Sequence, residues 1–217
     1  MTRHVLIAGA GPGVSGSLAR LYAAEGATVG LLGADRDVLH ALVADVEAAG
    51  GTSESALVDL TDDTATRQAV TRIAEKLGRL DVLHFNPSAY REKDPLSLTP
   101  DELLDDVRLG VGALLTFLQA GRPFLGPGGR VSVTGSMAAD QPWHGAASLG
   151  VQKAGLRNLV HSIDATLKDD GIRAVSVNVR GLLATEGPFA PDNVAAALRA
   201  AIDQDEADWR TEIPYDG

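Results

Sequence analysis

Short apolar runs and longer helical patterns alternate along this chain from end to end, and that alternation limits the available folds more than any other feature. The short runs lie near 4–9, 28–33, 54–59, 81–85, 129–134, 172–178 and, most weakly, 211–214. Helical patterns fill the intervals near 14–25, 36–49, 63–77, 101–120, 147–169 and 191–203. Runs such as Val5-Leu6-Ile7-Ala8 and Val131-Ser132-Val133 are bounded by turn residues, as expected of strands covered on both faces. Strand–helix–strand units of this kind build a parallel sheet, so the chain is read as α/β and doubly wound, with about seven strands and helices on both faces. Gly26, Gly78 and Gly171 each follow a helical stretch, where a left-handed cap favours glycine. Asp62 and Thr99-Pro100 stand where helices should begin.

With 217 residues, 45% of them hydrophobic, the expectation is one domain over 1–217 with one large core. The 19 basic and 29 acidic residues leave a net charge of −10, which argues against nucleic acid or an anionic membrane as partner and for a small-molecule substrate. Cysteine is absent, and the five histidines show no paired ligand spacing, so neither a disulfide framework nor a metal site is expected. The opening apolar run breaks at Gly9, Gly11, Pro12 and Gly13, which suits a strand entering a turn better than a secretion signal. No run approaches the ~20 residues of a membrane span, and the chain is expected to be cytoplasmic.

The segment His4 to Gly16 runs from a strand through a glycine-rich turn into a helix. Glycines let the backbone approach a pyrophosphate, and the helix N-terminus offers it free N–H groups and a partial positive charge. The same turn also serves a protein that binds no nucleotide. Gly9 and Gly13, the helix Leu18 to Ala27, Val58-Asp59-Leu60 and Leu80 to Ser88 together resemble the short-chain dehydrogenase/reductase family, which has a Rossmann-type fold. That resemblance implies an NAD(P) site with Gly9, Gly11, Gly13 and Ser15 in the turn, Asp59 at the adenine amine and Asn86 after the fourth strand. Ser15 stands in place of the family's third glycine. Asn86 reads equally well as a turn-stabilising residue. Gly33 and Ala34 hold the positions that separate NAD from NADP in the family, with Asp35 and Arg36 just beyond, and neither cofactor is selected.

The resemblance also implies a catalytic serine, Ser136, at the end of Gly129 to Ser136, and a Tyr-x-x-x-Lys helix whose lysine is Lys153. Four residues before Lys153 stands Leu149, which can neither donate, accept nor ionise, so the family's proton relay is expected to be broken. The asparagine of the family's fourth helix is missing too, Arg108 to Gly112 occupying that stretch. Lys153 is implied to hold the nicotinamide ribose; a lone helical lysine is otherwise merely solvated. His144 and Tyr90 are the substitute acids considered, His144 for its titration range; with Trp143, His144 also reads as part of a loop over the cleft. The resemblance places Thr185 at a phosphate-contacting position and turns the family's Pro-Gly into Arg180-Gly181, with little room for a helical lid between Glu186 and Pro191. An oxidoreductase with altered proton delivery is the first functional reading, and a non-redox binding subunit or enzyme on the same scaffold is the second. Relatives associate as homodimers or homotetramers, which the small residues Gly145-Ala146-Ala147 would permit.

Overall fold

The computed structural model describes residues 2–217. Among them, strands β1 (His4–Ala8), β2 (Thr28–Gly33), β3 (Thr52–Leu57), β4 (Leu80–Phe85), β5 (Leu125–Ser136), β6 (Arg173–Val179) and β7 (Glu212–Tyr215) form one sheet in the order β3-β2-β1-β4-β5-β6-β7. Every pairing is parallel. Strand order reverses between β1 and β4, and in such sheets a crevice opens there beyond the carboxyl ends of the strands. The helices are α1 (Val14–Ala24), α2 (Arg36–Ala48), α3 (Asp63–Leu77), α4 (Pro100–Val107), α5 (Ala113–Gly121), α6 (Ala147–Leu167) and α7 (Pro191–Ile202).

Successive side chains of a strand point to opposite faces, and β1 shows what that does to the core. Leu6 and Ala8 pack with Ile73 of α3, Phe117 of α5 and Leu156 of α6. Val5 and Ile7 pack on the other face with Leu18 of α1, Leu39 of α2 and Leu198 of α7. Helices therefore cover both faces, and the unbroken apolar run of β1 follows from burial on both sides.

Helix boundaries have local causes. Asp35 accepts from the amides of Asp37 and Val38 to start α2, and Asp62 accepts from Ala65 to start α3. Thr99 and Glu102 exchange hydrogen bonds in a capping box ahead of α4. Gly26, Gly78 and Gly171 adopt φ of 78°, 75° and 72°. One expectation is corrected: the helix over 101–120 is two helices, α4 and α5, joined by a π-helical turn at Arg108–Gly112. A Cβ on Gly110 would lie 2.3 Å from Oε1 of the fully buried Gln152 of α6, so the chain widens where a helix from elsewhere inserts an amide. The third strand also ends earlier than expected, at Leu57, although the Val58 amide still donates to the Gly33 carbonyl at 2.9 Å.

Behind β6 lies a buried ion pair. Asp164 of α6 accepts from Arg173 Nε (2.9 Å) and Nη2 (2.8 Å), from the Ala174 amide (2.8 Å) and from Thr211 Oγ1 (3.0 Å). Arg130 and Arg173 lie over the Trp209 ring, 5.0 and 4.9 Å from its centre, and tie the segment before β7 to the sheet. Among the described residues no helix is long and apolar enough to cross a membrane.

Candidate active site

A cavity of about 810 Å³ lies beyond the carboxyl ends of the strands, lined from Gly9 to Leu183 by parts of several separate chain segments including the first turn, Asp35, Asp59, Asn86, Ser136, Leu149 and Lys153. Gly9 has φ of 75°, and a Cβ there would lie 2.8 Å from Pro87 Cγ and 2.9 Å from Pro87 N, so only glycine fits against the β4 exit. A Cβ on Gly16 would lie 2.6 Å from the Gly11 carbonyl. Ser15 turns its hydroxyl into the loop, accepting from the Gly11 amide (2.9 Å) and donating to the Gly9 carbonyl (3.0 Å). The side chain that replaces the family's third glycine thus braces the turn. Helix α1, unlike α2, α3 and α4, has no side-chain cap, since Gly13 occupies that place. Its first-turn amides keep donors that an anion can take.

At the β2–β3 end the cavity is lined by Asp35, Val38, Val58, Asp59 and Thr61. The Thr61 amide and hydroxyl both donate to Asp59 Oδ1 (2.9 and 2.7 Å) and hold its carboxyl below the usual range. At the β5 end Lys153, 6% exposed, donates to the Thr134 carbonyl at 3.0 Å, and burial pushes its ammonium down to about 8. Leu149, one turn before Lys153 on the same helical face, lines the cavity together with Ser136. Ser136 Oγ accepts from the Ala138 amide at 3.2 Å.

Beneath the cavity floor runs a chain of hydrogen bonds that the sequence did not announce. Thr134 donates its single proton to Asn86 Oδ1 at 2.7 Å, so it accepts from His84 Nε2 at 3.4 Å, and Ser132 then donates to His84 Nδ1 at 2.8 Å. Asn86 Nδ2 completes the chain on the Gly9 carbonyl, 3.4 Å away. Burial alone pushes the fully enclosed His84 down to about 3, so it stays neutral while an unfolded chain takes up a proton near pH 6.5. Its folded value is depressed; the stability it contributes is present above pH 6.5 and is lost as pH falls. Urea unfolding is expected to lose about 2 kcal/mol between pH 7.5 and 5 from this residue, and the His84→Gln chain to lack that slope.

The segment after β4 is pinned from above. Gln152 donates to the Ala89 carbonyl (2.9 Å) and accepts from the Ala89 amide (3.0 Å). Asp106 of α4, 4% exposed, accepts from Arg91 and from Ser148 of α6.

The model of the family described as short chain dehydrogenase matches residues 3–187. The chain belongs to that family. An uncharacterised oxidoreductase of Bacillus subtilis is 26% identical over 181 residues, a match that covers 81% of this chain and 65% of that relative's length. A dehydrogenase/reductase from Sinorhizobium meliloti superposes with a TM-score of 0.90 at 22% identity, covering 99% of this chain and 94% of its own. A short-chain dehydrogenase from Burkholderia cenocepacia, solved in complex with NADP, gives 0.89 at 27% identity and covers 100% and 96%.

In this member of the family the cavity gathers Gly9, Gly11, Gly13, Ser15, Asp59, Asn86, Ser136 and Lys153 into one lining. It does not gather the other three residues singled out from the sequence. His144 is exposed in a short turn ahead of α6, its ring edge-on to Trp143. Tyr90 is 60% exposed and donates to Glu92. Thr185 is exposed on the irregular segment between β6 and α7, and Arg180, at the start of that segment, pairs with Asp216. Tyr22 is buried on the core face of α1, and Tyr215 donates to the Pro188 carbonyl, so no tyrosine of the described residues lines the cavity. Thr134 and Gln152 are the residues here to which sequence reasoning gave no role. Asp35 and Gly16 did carry signals, Asp35 as the acid just beyond the end of β2 and Gly16 as the last glycine of G-x-G-x-x-G.

Proposed function

We propose that this chain is a nicotinamide-dinucleotide-dependent oxidoreductase, acting on a small carbonyl, alcohol or activated C=C compound, whose proton delivery uses no tyrosine. The observation that carries this reading is one cavity that joins the uncapped N-terminus of α1 at one end to Ser136, Leu149 and Lys153 at the other. Its volume and its glycine cradle fit a dinucleotide. Gly9, Gly11, Gly13 and the first amides of α1 would hold the pyrophosphate, Asp59 the adenine amine, Asn86 the floor of the turn, and Lys153 the nicotinamide ribose. The bound dinucleotide supplies hydride chemistry. Thr185 would join only through movement of the segment that carries it, and His144 and Tyr90 receive no part in proton transfer.

The charged residues lining the cavity are Asp35, Asp59 and Lys153, and both carboxylates sit at the β2–β3 end. A ribose hydroxyl can donate to Asp35, whereas the additional phosphate of NADP would meet two negative charges and no cation. Calorimetric titration of the nucleotide-free chain is expected to show micromolar NAD⁺ or NADH binding at least about 10-fold tighter than NADP⁺ or NADPH. Asp35→Ser is expected to narrow that ratio. Failure of all four to bind at millimolar concentration refutes the oxidoreductase reading; tighter NADP⁺ refutes only the choice of cofactor. Leu115 of α5 and Val151 of α6 are 41% and 50% exposed, and we place the contact of a homodimer or homotetramer on these helices. Light scattering on the purified chain distinguishes this from a monomer.

A further inference from the structure

Among the described residues Lys153 is the one cation lining the cavity. It is fully enclosed by the fold except at that wall, and its one hydrogen bond, to the Thr134 carbonyl, leaves two of its three N–H groups for an occupant. No described carboxylate pairs with it. The charged groups on the elements around α6 are engaged elsewhere: Asp106 with Arg91 and Ser148, Asp140 and Glu212 with Arg157, Asp164 with Arg173 and Arg130 with Glu206. Arg108 of the π-helical turn and His144 are exposed, and His84 is neutral. The remaining polar side chains at this end, the Asn86 amide and the aliphatic hydroxyls of Ser88, Thr134 and Ser136, do not titrate near neutral pH. Leu149 puts a hydrocarbon wall where a second acid would need to stand.

We propose that Lys153 is itself the catalytic acid and base of this site, exchanging a proton directly with the oxygen of a carbonyl or alcohol substrate. The proposal rests on the oxidoreductase reading and names the residue that completes it. In reduction, hydride supplied by reduced nicotinamide forms the new C–H bond, the carbonyl π pair moves onto oxygen, and that oxygen takes a proton from Lys153 Nζ. The dinucleotide is left oxidised, and the neutral amine regains a proton from water at the cavity mouth. Alcohol oxidation reverses each transfer. An ammonium that titrates near 8 is mostly charged at pH 7, as reduction requires, and mostly neutral at pH 9, as oxidation requires.

The full chain labelled with ¹³C at lysine Cε tests this without a substrate. It contains Lys76, Lys93, Lys153 and Lys168, and the Lys153 resonance is the one absent from the Lys153→Met chain. Its midpoint is expected near 8. With NADH and 4-nitrobenzaldehyde as probe, the reduction rate is expected to fall above about pH 8. Lys153→Arg keeps the charge but does not release the proton; turnover should fall at least ~100-fold, more than nucleotide affinity falls in the calorimeter. A Lys153 midpoint above 10 overturns the proposal even if the arginine chain fails to fold. So does an arginine chain that loses affinity alone and keeps the wild-type pH profile, which would make Lys153 a ribose-holding residue only. Absence of any nucleotide binding strikes instead at the reading beneath it.

Discussion

Gly9→Ala is expected to lower folding stability by about 3 kcal/mol and to weaken dinucleotide binding at least about 10-fold. Two independent penalties meet at this position. A residue with a Cβ costs roughly 1–2 kcal/mol in the left-handed region that Gly9 occupies at φ of 75°. The added methyl also lands 2.8 to 2.9 Å from the Pro87 ring and backbone nitrogen, and such overpacking costs about 1–3 kcal/mol. Relief requires moving the β4 exit or opening the turn, and the second of these breaks the Ser15 and Asn86 bonds to the Gly9 carbonyl. A drop of about 10 °C in thermal midpoint is the expected reading by circular dichroism. Gly126→Ala, where the added carbon meets nothing within 4 Å, should change stability by less than about 0.5 kcal/mol. Equal behaviour of the two chains would mean that the first turn is not held against Pro87.

Asp164→Ala is expected to cost about 3–5 kcal/mol, because it leaves the Arg173 guanidinium only the more exposed Glu206 as a partner and removes the acceptor of the buried Ala174 amide at once. Replacing both partners, Asp164→Leu with Arg173→Met, should cost markedly less, since no buried charge is left alone. The single substitution also carries a pH signature. Burial opposes ionisation of Asp164, but the bonds from Arg173, the Ala174 amide and Thr211 outweigh it and hold the carboxyl below its ordinary value. A depressed acid contributes stability above its unfolded pKa, about 4, and loses it as pH falls through the folded one. The urea-unfolding gap between wild-type and Asp164→Ala chains should therefore be full at pH 7 and shrink below about pH 4. A gap unchanged in acid would mean that Asp164 acts through packing alone.

The layered fold was legible because its signals are local. Val5 to Ala8 reads as a strand buried on both sides from four residues, and Gly26, Gly78 and Gly171 mark helix ends by backbone chemistry alone. The break at Arg108–Gly112 was not legible: its cause is Gln152, 42 positions beyond Gly110, and a π-helical turn leaves the apolar spacing of its neighbours nearly intact. The chain from Ser132 through His84 to Asn86 was hidden for the same reason, since only parallel pairing of β4 with β5 sets His84 opposite Ser132. Gly9, Asp59 and Ser136, read from their place beside a strand end, and Lys153, read from its place on a helix, line the same cavity. His144 and Tyr90 were selected for what their side chains can do, and a side chain's chemistry carries no information about which way its loop faces.

The central claim, that one cavity carries the dinucleotide across from Asp35 to Lys153, is tested most directly by a crystal structure of the chain grown with NAD⁺. The account predicts pyrophosphate on the first-turn amides of α1, a ribose on Asp35, and the nicotinamide against Leu149 with Lys153 Nζ within hydrogen-bond reach of its ribose. Nucleotide seated elsewhere, or a tyrosine or histidine beside Ser136 with Leu149 turned away, would contradict it.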